Sequence, residues 1–206
     1  MGTRNLIMVK SDGKYKIAQY SAWDGYPEGN GFDVVEFINN PQFDKDLFKT
    51  KVDNLTEWTQ EEIESIPQSI ISYELYPELS SDTGTEVLKL IYEDKVKKVI
   101  SKIHFASDSL FCEWGWLINL DTNFLDCFIG FQTEPLSENQ PFYDIQHKMT
   151  EDDEYYPIKL ICSIPFNELS QFNTKYDFKK YIDDIISFGG ETIMGNGIPK
   201  VWDDEL

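Results

Sequence analysis

Two runs rich in β-forming residues, 5–10 (NLIMVK) and 15–21 (YKIAQYS), flank SDGK, where Asp12-Gly13 suits a two-residue turn with positive φ. The pattern predicts a hairpin. After Gly31 the apolar period lengthens, and FDVVEFINN reads as a short amphipathic helix that stops before Pro41. PQFDKDLFKTKV predicts a second helix opened by Pro41, with Phe43, Leu47 and Phe48 turned to the core. In TQEEIESI, Thr59 is the expected N-cap, acids fill the first turn, and Pro67 ends the helix. Residues 66–82 carry no regular period. DTGTEVLKLIYED then predicts a helix capped by Thr83 or Thr85, with Val87, Leu88 and Ile91 inward.

The strongest signal is SLFCEWGWLINLDTNFLDCFIGF, which predicts strands 110–119 and 124–131 around a turn at LDTN. One face of the first strand carries Cys112, Trp114, Trp116 and Ile118, with Glu113 opposite. YPIKLICSIPF adds a buried strand, and KYDFKKYIDDIISF a helix with Phe178, Tyr181, Ile182, Ile185 and Ile186 inward. The tail from Gly189 reads as a lid or a docked extension. Strands arriving as hairpins (5–21 and 110–131), with helices between them, predict an α+β fold with a mainly antiparallel sheet, as a single domain over 1–206. No strand is expected to lead through a glycine-rich turn into a helix in the manner of a nucleotide-binding fold. The two GNG triplets, 29–31 and 195–197, are too short to be phosphate fingerprints.

Composition narrows the function. Hydrophobic residues at 41% and aromatics at 15% exclude a disordered chain. No apolar run approaches the roughly 18 residues of a membrane span, and the N-terminus lacks a signal peptide's apolar core, so a cytoplasmic protein with no membrane partner is expected. MGTRNL departs from a myristoylation signal at Leu6. Cys112, Cys127 and Cys162 lie in apolar runs without CxxC spacing and read as buried, reduced thiols. His104 and His147 are far apart, so neither a metal nor another cofactor is expected.

The chain holds 37 acids against 18 bases, yet residues 1–50 hold 7 and 6, so nearly all of the net −19 falls downstream. Such a chain is expected to avoid nucleic acid, because phosphate contact depends on Lys and Arg. An acidic surface of this kind serves solubility or mimics DNA toward a DNA-binding partner. Arg4 is the one arginine; its planar fork suits bidentate binding of carboxylate or phosphate, or a salt bridge to Asp24.

SAWDGYPEGNG (21–31) is too rich in Gly, Pro and Asn for a helix or strand and too aromatic for a solvated loop. A turn at Asp24-Gly25, fixed by Pro27 and loosened at Gly29 and Gly31, lets backbone approach a ligand closely. Because Thr3, Arg4 and Asn5 enter the hairpin, its second strand ends beside them, which places Arg4 near Asp24. With Asn5, Gln19, Trp23 and Tyr26 they form a mixed polar and aromatic rim, the candidate ligand site. Such a rim suits a planar, anionic, nucleotide-like ligand. A structural corner, with Trp23 and Tyr26 packed on the core, stands as the other reading.

MGTRNL, a hairpin, then YSAWDGYPEGNG resembles a family of uncharacterised bacterial, phage and fungal proteins that open MGTRN or MGCRG and continue with WDGYP or WDSYP and glycines. The resemblance extends to SDTGTEVLKLI and to CEWGWLINLD…LDCFIG. For a phage-encoded member it implies counter-defence by sequestering an immune nucleotide signal. Two other functions are open. An N-terminal-nucleophile amidohydrolase uses Thr3, which Gly2 precedes here, with its free amine as base. An acidic mimic or inhibitor of a host protein uses residues 51–100 and TEDDEYY (150–156).

Overall fold

The computed structural model describes residues 2–146 and 154–188, with the backbone of two short strands at 193–194 and 198–199. His147, the first part of TEDDEYY, the second GNG and most of the tail lie outside the described residues.

The chain opens with β1 (Asn5–Ser11) and β2 (Lys14–Ser21), continues through α1 (Phe32–Asn39) and α2 (Lys45–Asp53), and adds a short strand β3 (Thr56–Glu57) and α3 (Gln60–Ser65). Then follow α4 (Glu86–Tyr92), β4 (Lys98–Val99), β5 (Trp114–Asn119), β6 (Phe124–Ile129) and α5 (Tyr143–Gln146). The last elements are β7 (Lys159–Pro165), α6 (Lys175–Ser187), β8 (Ile193–Met194) and β9 (Ile198–Pro199). The fold is α+β, and its sheet, in the order β2-β1-β5-β6-β7-β8-β9, is mixed but mostly antiparallel. Asp12 and Gly13 turn the first hairpin at φ +50° and +73°, the double positive φ of the turn read from the sequence. The hairpin then joins β5 in parallel, Asn5 beside Trp114.

Both faces of the sheet are covered, which is why Leu6-Ile7-Met8-Val9 is apolar without a break. Ile7, Val9, Trp116, Ile118 and Cys127 face the layer of α1, α2, α4 and α6. Leu6, Met8, Leu117 and Phe128 face the other way, against Ala106, Phe142 and Ile158. All three cysteines are buried free thiols, and burial pushes the Cys112 and Cys127 thiols well up from their ordinary range. No helix among the described residues is long and apolar enough to cross a membrane.

Several local expectations are corrected. The hairpin predicted over 110–131 begins only at Trp114, because residues 108–112 form a turn in which the Phe111 and Cys112 amides donate to Asp108 O. Cys112 therefore packs with Leu6 and Met8, on the face opposite Trp116. Pro41 does not open α2: the Asp44 carboxylate accepts from the amides of Asp46 and Leu47 and caps it instead. Leu47 and Ile186 lie on the solvent side of their helices. Thr59 caps α3 as expected, in a reciprocal box with Glu62. At α4 neither threonine caps; Thr85 donates its hydroxyl proton to Asp33 and Thr83 donates to Pro77 O.

Candidate functional site

The loop after β2 is tied down by its backbone. Ala22 N–H donates to Ser81 O at 2.9 Å, and Gly25 N–H donates to Thr3 O at 2.9 Å. Asp24 takes the left-handed conformation at φ +54°, and the Gly25 carbonyl accepts the Trp116 indole N–H at 2.9 Å. A single wide turn, Pro27–Gly31, then feeds α1. Its glycines serve packing, and the expectation that they admit a ligand is corrected. A β-carbon at Gly31 would stand 2.7 Å from the Trp116 ring, and one at Gly29 would stand 2.3 Å from Asp24 O. A strand, β2, does lead through this glycine-containing loop into a helix, but not in the manner of a nucleotide-binding fold. No phosphate cradle results, because the amides of Gly29, Asn30, Gly31 and Phe32 all donate to carbonyls of the loop itself.

The predicted rim residues separate. Asn5 and Gln19 lie beneath the loop: Asn5 Nδ2 donates to Trp23 O at 3.3 Å and Gln19 Nε2 donates to Ser80 O at 2.8 Å. Asn5 Oδ1 is sealed without a partner. Trp23 and Tyr26 stand outside and partly exposed, not packed into the core. The Trp23 indole N–H donates to Asp82 at 2.9 Å, and the Tyr26 hydroxyl donates to Asp24 at 2.9 Å. That hydrogen bond, with the carboxylate's charge behind it, pushes the Tyr26 phenol up from its ordinary value.

Arg4 does not pair with Asp24. Its guanidinium lies 4.4 Å over the Phe111 ring, and its backbone N–H donates to Glu113. The alternation of a strand explains this, since Asn5 points toward the helix layer and Arg4, one residue earlier, points away. Thr3 is held by its carbonyl, while Gly2 is wedged so closely that a β-carbon there would stand 2.3 Å from the Trp23 ring. Neither residue lines the cleft described next.

Trp23 and Asp24 form one side of a cleft of about 690 Å³ bounded by the loop, α1 and α4. Its floor is Ser21, Asn30 and Thr83, all buried. One wall is aromatic, with Phe37, Phe43 and Tyr92 in mutual contact at centroid separations of 5.1 to 6.2 Å. Six carboxylates line it, from Asp24, Asp33, Glu36, Asp82, Glu86 and Glu93, against a single base, Lys89, whose ammonium lies 3.4 Å from Glu86. Partial desolvation, then the charges of Glu36 and Asp24, push the Asp33 carboxyl up from its usual range, against the Thr85 hydrogen bond that steadies the anion. Sequence reasoning missed all of these carboxylates except Asp24. A signal was present in the acids of α1, Asp33 and Glu36, one turn apart on its polar face directly after the loop. Another was the SDTGTE segment, which sets Asp82 and Glu86 four residues apart around the start of α4.

Ser81 and Asp82 bind the loop at Ala22 and Trp23, and Trp116 binds it at Gly25. Fold and site together define an α+β protein with a ligand-sized, acid-lined and aromatic-walled cleft. No family model, curated protein or solved structure matches the chain. Among the described residues, no group of three His, Cys, Asp or Glu is arranged to hold a metal ion.

Proposed function

We propose that the protein is a binding module whose cleft takes a small ligand carrying positive charge on a planar or apolar body. One observation carries this reading: six carboxylates and one lysine share a cleft with exposed Trp23 and the Phe37–Phe43–Tyr92 wall. A concave site lined by one sign of charge concentrates the opposite sign, and aromatic faces add attraction for a cation. The volume suits a small molecule.

The nucleotide-like anion expected from the sequence relied on a planar cation at the rim. Arg4 lies over Phe111 instead, and the loop amides that could meet a phosphate are spent internally. Sequestration of a small signalling compound, the use implied by the resemblance, would on this reading concern a cationic one. Equilibrium dialysis at low salt with spermidine and with adenosine monophosphate tests the proposal. Spermidine is retained and released by added salt, while the nucleotide passes freely. Retention of the nucleotide without spermidine would reverse the assignment.

A further inference from the structure

The hydrogen-bonding groups around the cleft floor are nearly all committed in one direction. The Trp23 indole N–H is spent on Asp82, the Tyr26 hydroxyl proton on Asp24, and the Thr85 hydroxyl proton on Asp33. On the floor, Ser21 Oγ donates to Trp23 O at 3.2 Å and Thr83 Oγ1 donates to Pro77 O at 2.5 Å. Their protons point into the protein, and lone pairs are what they have left to offer.

Asn30 is the most telling. It is only 5% exposed, yet it lines the cleft. Its Nδ2 donates to Trp23 O at 2.8 Å and lies 3.3 Å from Ser21 Oγ, which fixes the amide, since a flip would set oxygen against the Trp23 carbonyl. Among the described residues no hydrogen bond to its Oδ1 is found, and that oxygen is not among the sealed, unpartnered atoms that include Asn5 Oδ1. A β-carbon on Gly84 would stand 3.0 Å from that oxygen, which places the oxygen beside Gly84 in the cleft lining. An unpaired amide oxygen on a residue that lines an acid-lined cleft favours a donor from whatever covers it.

We infer that the ligand is a cation rich in N–H donors, a primary amine or guanidinium compound, and that Asn30 discriminates it from quaternary ammonium compounds of equal charge. This rests on the cationic reading above and specifies it. Carboxylates alone attract any cation. The bare Asn30 Oδ1 rewards only one that donates, because a trimethylammonium group would displace water from it and return no hydrogen bond.

The test uses the intact chain and two compounds that differ only in their N–H groups, phenethylamine and its N,N,N-trimethyl counterpart, each titrated to obtain Kd. The amine binds about tenfold or more tightly, as expected when a ligand covers an acceptor without offering it a donor. Replacing Asp33→Asn together with Glu36→Gln weakens both compounds, since it removes two negative charges from the cleft lining. Equal affinity for the two compounds, or tighter binding of the trimethyl form, overturns the Asn30 inference and leaves the cationic cleft standing. If neither compound binds, and spermidine is also not retained, the cleft reading and this inference fall together.

Discussion

The segment Ser21–Gly31 presents two surfaces with opposite physics. Inward, Gly25 meets Asn5 at the start of the first strand and Gly31 meets the Trp116 ring at distances no added side chain would permit. Outward, Trp23 and Asp24 face a cleft whose walls are charged and partly exposed. One loop is thus both a corner and a wall of the cleft. The two readings of the sequence are divided between its backbone and its side chains, and substitutions on the two surfaces should behave differently.

The largest effect is expected at Trp116, fully buried and hydrogen-bonded to Gly25 O. Trp116→Ala should cost about 3–5 kcal/mol in chemical denaturation; a loss below about 1 kcal/mol would mean the corner does not depend on it. Gly31→Ala should cost about 1–3 kcal/mol, because the methyl must displace the Trp116 ring. A neutral result there would show the loop to be looser than described.

Arg4→Lys sharpens the comparison from the other side. The stack on Phe111 is worth about 0.5–1 kcal/mol for a half-exposed pair. The melting temperature should therefore move by only a few degrees, and cation binding in the cleft should be unchanged. Loss of that binding with the fold intact would return Arg4 to the site.

Asp33 gives the smallest stability effect and a distinct pH dependence. Its pKa is raised in the folded state, so its ionised form weakens the fold above that pKa, and the penalty disappears as pH falls below the ordinary carboxylate range. Asp33→Asn should thus be neutral or slightly stabilising near neutral pH, within about 0.5 kcal/mol, with the difference fading on acidification. Affinity for a cation should fall over the same acid range as Asp33 takes up its proton. Affinity that rises on acidification would contradict the carboxylate's part in the site.

Much of the fold was legible because its signals are local. Asp12-Gly13 dictates its turn, Thr59 and Glu62 sit at capping spacing, and the inward residues of α6 recur with the helical period. Leu47 and Ile186 were misplaced because the buried stripe of each helix is narrower than its apolar content. Asp44 overruled Pro41 because a carboxylate cap satisfies two orphan amides, and a proline satisfies none. The cleft was hidden for a different reason. Its carboxylates come from α1, from the turn at Asp82 and from α4, about fifty residues apart in sequence, and only the packing of α4 beside the loop brings them together. The position of Arg4 could have been read from strand alternation once Asn5 was placed inward.

The central claim is that the outward side of this loop, and not the Arg4 side, receives a cation. Mapping amide and indole chemical shifts while titrating agmatine tests it most directly. The Trp23 indole, the Asn30 side-chain amide and the Gly84 backbone amide should shift together, with Arg4 and Phe111 unmoved and adenosine monophosphate without effect. Shifts confined to Arg4, Phe111 and Glu113, or a cleft that responds to the nucleotide and ignores agmatine, would contradict it.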